Sequence, residues 1–277
     1  MTEVVEEFWN RNAGIYVEDK LTREYLDVFL GPKRKLVGLK IVGGAASVKR
    51  CVVEDVDKRI TNTFGVIDRD YDRETPCEWR DRIYVWPCHE VENYLLDWHI
   101  LAQFDPHGRG WEFFRDLTHQ VAEKYLYSVA YNQLIADVRR KVTTDFPRQV
   151  DLKTSSGKDG KIAYLSEALS SAGEIIKRFS ESEWFRKFPK QSADILSEDK
   201  LRGHVSIIIE TLKAELASPD AWRNSFPGKE MFRAVVNAMF NDASRKIELT
   251  RFIAQHQCSN IPADVEVLIK HVISTIS

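Results

Sequence analysis

The sequence predicts an α/β protein: a mostly parallel, Rossmannoid sheet with helices on both faces, followed by an α-helical C-terminal region. Three observations predict it. Short apolar runs alternate with amphipathic helical runs through the first ninety or so residues, the pattern of a parallel sheet joined by crossover helices. Beyond Trp86 no convincing strand pattern follows. Acidic residues close several of the apolar runs, as at the carboxyl rim of such a sheet, where ligands bind.

Taken in order, residues 1 to 12 are polar and acidic with one Phe-Trp pair, read as a short helix or arm packing on the domain. Gly14-Ile15-Tyr16-Val17-Glu18 reads as a strand ending in a carboxylate. Leu21, Tyr25, Val28 and Phe29 then recur at helical spacing until Gly31-Pro32 stops the helix. Leu39-Lys40-Ile41-Val42 is a second strand, ending in Gly43-Gly44, which allow a tight turn and close approach beside the site. Val48, Cys51, Val52, Val56 and Ile60 mark a second helix. Thr63-Phe64-Gly65-Val66-Ile67 is the third strand and runs into Asp68-Arg69-Asp70-Tyr71-Asp72. A loop over residues 71 to 81 leads to a fourth strand, Arg82-Ile83-Tyr84-Val85-Trp86. His89-Glu90-Val91-Glu92-Asn93-Tyr94-Leu95-Leu96 opens a helix, and helices are expected over 112 to 141, 198 to 217, 229 to 240, 243 to 256 and 263 to 275. Residues 154 to 161 read as a loop or hinge. The division is 1–98 for the α/β part and 99–277 for the helical part.

The 277 residues, 43% hydrophobic and 30% charged, describe an ordinary soluble globular chain. A net charge of -2 excludes a generally basic nucleic-acid coat, though not a local basic groove. The four cysteines form no CxxC pair, so no zinc knuckle or disulfide framework is suggested. No apolar run reaches the roughly 18 residues of a membrane span and no secretory segment opens the chain, so a cytoplasmic, membrane-free protein is expected.

Glu18, Asp68 and Asp70 form the sharpest constellation. If the backbone stays extended past the third strand, Asp68 and Asp70 point the same way, and two parallel carboxylates call for a cation between them, Mg²⁺ or Mn²⁺ by their hard oxygen donors. Residues 54 to 92 carry eleven acidic side chains against six basic, so a phosphate would approach only with cations present. Glu18 is placed either as a ligand or as a proton shuttle. Glu90 and Glu92 stand on the same rim, either completing a metal shell or answering a helix dipole. His89 adjoins them and is expected at the substrate, and Lys229 is read either as a lysine returning to the scissile phosphate or as a solvated helix start. Residues 139 to 190 hold twelve basic against seven acidic side chains, with Trp184, Phe185 and Phe188 interleaved, a pattern that suits nucleic acid as well as it suits a solvated helical surface.

Ile15-Tyr16-Val17-Glu18, Ile41-Val42-Gly43-Gly44 and Val66-Ile67-Asp68-Arg69-Asp70 together resemble the Toprim domain of topoisomerases, bacterial primases and overcoming-lysogenization-defect nucleases. Trp86-Pro87-Cys88-His89-Glu90-Val91-Glu92-Asn93-Tyr94 and Phe226-Pro227-Gly228-Lys229 resemble, more particularly, Toprim nucleases found beside ABC-type ATPases in bacterial anti-phage loci, including the nuclease subunit of the phage anti-restriction-induced system. The resemblance implies a Toprim-like fold with Glu18 as catalytic acid/base and Asp68 and Asp70 as metal ligands. It further implies a toxic defence effector acting on tRNA or DNA and governed by an ABC-type ATPase partner. A homodimer is left open. The chain departs from the family at Asp19, where a Gly is usual, and at Thr22, where an acid is often found.

Two other readings stand beside it. A haloacid-dehalogenase-like phosphatase would use Asp68 as nucleophile, but expects an early Thr or Ser after the motif and gives Glu18 no role. A non-enzymatic binding module would use the rim acids to hold a structural cation or a basic peptide.

Overall fold

The computed structural model describes residues 8, 11–71, 82–145, 169–182, 185 and 197–276. The expected N-terminal arm apart from Phe8 and Arg11-Asn12, the loop beyond Tyr71 with Asp72, the hinge at 154–161, Trp184 and Phe188 lie outside them.

Four strands form one sheet: β1 (Ala13–Val17), β2 (Val37–Ile41), β3 (Thr63–Ile67) and β4 (Ile83–Val85), in the order β2-β1-β3-β4 and all parallel. The chain leaves β1 toward β2 on one side and resumes at β3 on the other. The sheet therefore has a topological switch point between β1 and β3, and Glu18 and Asp68 are the residues that follow those two strands.

Alternation along the strands explains why both faces are covered. Ile15, Val17, Phe64, Val66 and Tyr84 enter the main core beneath α1 (Lys20–Leu30), whereas Tyr16, Ile67 and Val85 join Val48 and Val52 of α2 (Ala45–Asp57) on the opposite face. The Tyr16 hydroxyl donates to Asp55 Oδ2 at 2.8 Å and pins α2 to the sheet. Asp19 begins α1 as its N-cap, accepting from Thr22 N at 2.9 Å. Asp19 and Thr22 thus form a capping pair.

The remainder is helical: α3 (Trp98–Phe104), α4 (Trp111–Asp145), α5 (Ala172–Glu181), α6 (Glu198–Ala217), α7 (Gly228–Phe240), α8 (Lys246–Gln257) and α9 (Ala263–Ser274). The expected helix after the fourth strand is instead a 3₁₀ turn at Val91–Leu95 followed by α3, and the expected helix 243 to 256 opens with a 3₁₀ turn at Ala243–Arg245. α5 was not anticipated. It lies inside the basic stretch and buries Ile175, Ile176 and Phe179. Phe185, expected to offer its ring for stacking, instead packs against the core, edge-on to Phe179 at 5.3 Å.

One hydrophobic cluster runs without a break from Ala13 in β1 to Val272 in α9, across the division drawn at residue 98. Polar ties reinforce the join: Tyr25 Oη donates to Gln257 Oε1 at 2.8 Å, and Tyr94 Oη to Asp264 Oδ2 at 2.9 Å. Among the described residues, no helix is long and apolar enough to cross a membrane.

Candidate active site

The rim of the sheet gathers five carboxylates. Glu18, just past β1, accepts a hydrogen bond at Oε1 from the backbone N–H of Asp68, just past β3, at 2.8 Å. This bond ties the two strand ends together at the switch point. Burial, with the negative charges of Asp70 and Asp19, pushes the Glu18 carboxyl up to about 7 against the opposing pull of the Asp68 N–H and Lys229.

Asp68 is 7% exposed. Its Oδ1 accepts from Val91 N at 3.3 Å and its Oδ2 lies 3.4 Å from Lys229 Nζ. Burial holds its pKa well above the usual carboxylate range, with Glu18, Glu90 and Glu92 adding to the effect against Lys229.

Asp70 corrects the expectation of an extended Asp-x-Asp. Its φ is +51°, the left-handed region, so strand alternation does not continue to it. The turn brings its backbone N–H to His89 O at 3.0 Å and leaves its side chain exposed.

Glu90 and Glu92 are buried at 6% and 0% exposure, not solvated helix-start residues. Glu90 N donates to Asn93 Oδ1 at 3.0 Å, while its own Oε2 accepts from Lys229 N at 2.9 Å and its Oε1 lies 3.4 Å from Lys229 Nζ. Glu92 Oε1 pairs with Lys246 Nζ at 3.1 Å, and its Oε2 is buried without a hydrogen-bond partner among the described residues. Burial raises both pKa values.

Lys229 is therefore a half-buried lysine held between carboxylates. Burial works against its charge, but Glu90, Asp68 and Glu92 outweigh that cost and raise its pKa. It reaches the rim because of Gly228. A Cβ there would stand 2.6 Å from Asn93 N and 2.9 Å from Glu92 C, so only glycine lets the start of α7 lie against the 3₁₀ turn. Asn93 Nδ2 completes the seam by donating to Phe226 O at 3.0 Å. The two stretches Trp86–Tyr94 and Phe226–Lys229, far apart in sequence, thus form one substructure.

His89, expected at the substrate, is 1% exposed and faces the protein interior. Its backbone N–H donates to Arg223 O at 3.0 Å, and its ring meets Tyr71 edge-on at 4.7 Å. Its Nδ1 lies 3.8 Å from Glu90 Oε1. Gly43 and Gly44, with φ of +78° and +71°, form the exposed turn from β2 into α2, beside the end of β1. No heavy atom lies within 4 Å of a Cβ placed at either, so their space is open on the solvent side.

One ligand atom from each of Asp70, His89 and Glu90 lies within 4.8 Å of the others. That is a donor set of the size and chemistry for a divalent cation. Asp68 and Glu18 border the group rather than belong to it. Several contributors carried no sequence signal as site residues. Lys246 has no motif around it, and Arg223, which donates from Nη1 to Asn93 O at 2.8 Å, comes from a polar stretch. In comparisons with known proteins, no family model and no curated protein matches the chain.

Proposed function

We propose that this protein is a divalent-metal-dependent nuclease that hydrolyses phosphodiester bonds in nucleic acid. The observation that carries the reading is the gathering of Glu18, Asp68, Asp70, Glu90 and Glu92 at the switch point of a parallel sheet, four of them with carboxyls raised by burial. So many carboxylates in a low-dielectric rim are costly unless cations balance them. Asp70, His89 and Glu90 would hold Mg²⁺ or Mn²⁺. When bound, such an ion neutralises phosphoryl charge and readies a water for attack.

The protein's own groups supply the rest. Glu18, with a pKa of about 7, is poised to take and return a proton near neutrality. Asp68 orients Glu18 through its N–H and holds Lys229 at the rim. Lys229 offers an ammonium toward an approaching phosphate, and the open Gly43-Gly44 turn leaves room for the nucleic-acid backbone. The resemblance to Toprim nucleases of anti-phage loci points the same way. It supports a toxic effector acting on tRNA or DNA under an ABC-type ATPase partner.

One observation favours the non-enzymatic reading: Lys229 and Lys246 already balance Asp68, Glu90 and Glu92. Incubating the protein with labelled tRNA, single-stranded DNA and duplex DNA separates the two, in Mg²⁺, Mn²⁺ or EDTA and with or without the ATPase. Cutting with a divalent ion and none in EDTA is expected. No cutting under any condition leaves the binding module.

A further inference from the structure

The cation site as built is not an all-oxygen site. His89 is nine-tenths or more buried, yet its Nδ1 stands 3.8 Å from Glu90 Oε1. That distance is too long for a hydrogen bond. It is the separation of two donors that each lie about 2.1 Å from a shared ion, which places them roughly 3 to 4 Å apart.

The chain that carries each of the three donors is also held by hydrogen bonds. The left-handed turn fixes Asp70, whose N–H is bonded to the carbonyl of His89 itself. The backbone N–H of His89 is held on Arg223 O, and the imidazole meets edge-on the ring of Tyr71, whose hydroxyl in turn accepts from Asn132 Nδ2 at 3.1 Å. Glu90 is fixed by Lys229 N and Asn93. Lys229 Nζ, equidistant at 3.4 Å from Glu90 Oε1 and Asp68 Oδ2, can release the first contact and keep the second.

Imidazole nitrogen is a ligand of first-row transition cations, whereas Mg²⁺ takes oxygen and sheds water reluctantly. We infer that His89 is a direct metal ligand and that Asp70, His89 and Glu90 select a first-row transition cation of the Mn²⁺ or Co²⁺ class over Mg²⁺. Tyr71 and Asn132 are positioning residues for that imidazole. The inference rests on the reading of the rim as a cation site, and it narrows that reading.

The test is pulsed electron paramagnetic resonance of Mn²⁺ bound to the full chain, alongside calorimetric titrations with Mn²⁺, Co²⁺ and Mg²⁺. The expected spectrum carries a nitrogen coupling that changes isotope pattern when histidine is ¹⁵N-labelled and vanishes in His89→Asn. Co²⁺ binds more tightly than Mn²⁺, and both bind more tightly than Mg²⁺. His89→Asp, which restores an oxygen donor, keeps binding but loses the preference. Mn²⁺ bound without nitrogen coupling, at an affinity equal to that of Mg²⁺, overturns the inference and leaves the nuclease reading in place. No divalent binding at all overturns both.

Discussion

Glu18 gives the residue scale its sharpest consequence. Its carboxyl rises from 4.5 in a free side chain to about 7 in the fold, first through burial and then through Asp70 and Asp19. The folded protein therefore holds this proton more tightly than the unfolded chain. Stability is fully present below pH 4.5 and is lost as pH climbs through 7. Asp68, Glu90 and Glu92, raised in the same direction, steepen the loss. Denaturant melts in EDTA are expected to weaken steadily from pH 5 to 8, with a shallower slope for Glu18→Gln. Added divalent ion should stabilise more at pH 8 than at pH 5, because its ligands must be deprotonated. A flat profile would mean that Glu18 ionises as freely folded as unfolded. Glu18 and Asp68 were legible in the sequence because a strand pattern fixes which residue comes last. Asp70 was legible as an acid but not in its direction, since alternation assumes a backbone that stays extended and this one turns left-handed. The burial of His89 was invisible because it depends on Arg223 and Tyr71 reaching it from elsewhere.

Among elements, the seam between α7 and the 3₁₀ turn Val91–Leu95 decides whether the site exists. It rests on Gly228 passing within contact of Asn93 and on Lys229 N donating to Glu90 Oε2. Gly228→Ala is expected to cost on the order of 1–3 kcal/mol through overpacking, and to weaken divalent binding by displacing Glu90. Urea unfolding and calorimetry check both. Gly43→Ala meets no neighbour and forfeits only its positive φ, so a loss of about 1 kcal/mol with metal binding intact is expected. Equal effects at the two glycines would contradict the seam. Local pattern gave all four strands and most helices because apolar periodicity is strong there. It missed α5, whose apolar residues Ile175, Ile176 and Phe179 are embedded in a basic, polar stretch. It could not show the seam, because residues 90 and 229 have no local relation.

For the whole molecule, the unbroken core from β1 to α9 makes the sheet and the helices one folding unit. α1 rests on α8 and α9, so a fragment ending at residue 98 would expose Tyr25 and Phe64, which meet Gln257 and His271 in the full chain. Such a fragment is expected to lack native near-ultraviolet dichroism, and the full chain to unfold in a single transition by calorimetry and dichroism alike. A folded fragment with its own transition would show two independent domains. The same continuity links the rim chemistry to the helical part, which supplies Lys229 and Lys246. The most direct test of that chemistry is the rate of phosphodiester cleavage under saturating Mn²⁺ for wild type, Glu18→Gln and Asp68→Asn, each confirmed folded. Losses of roughly a hundredfold or more in both variants are expected if the switch point carries proton transfer and orientation. Wild-type rates in both would contradict a catalytic site at the ends of β1 and β3.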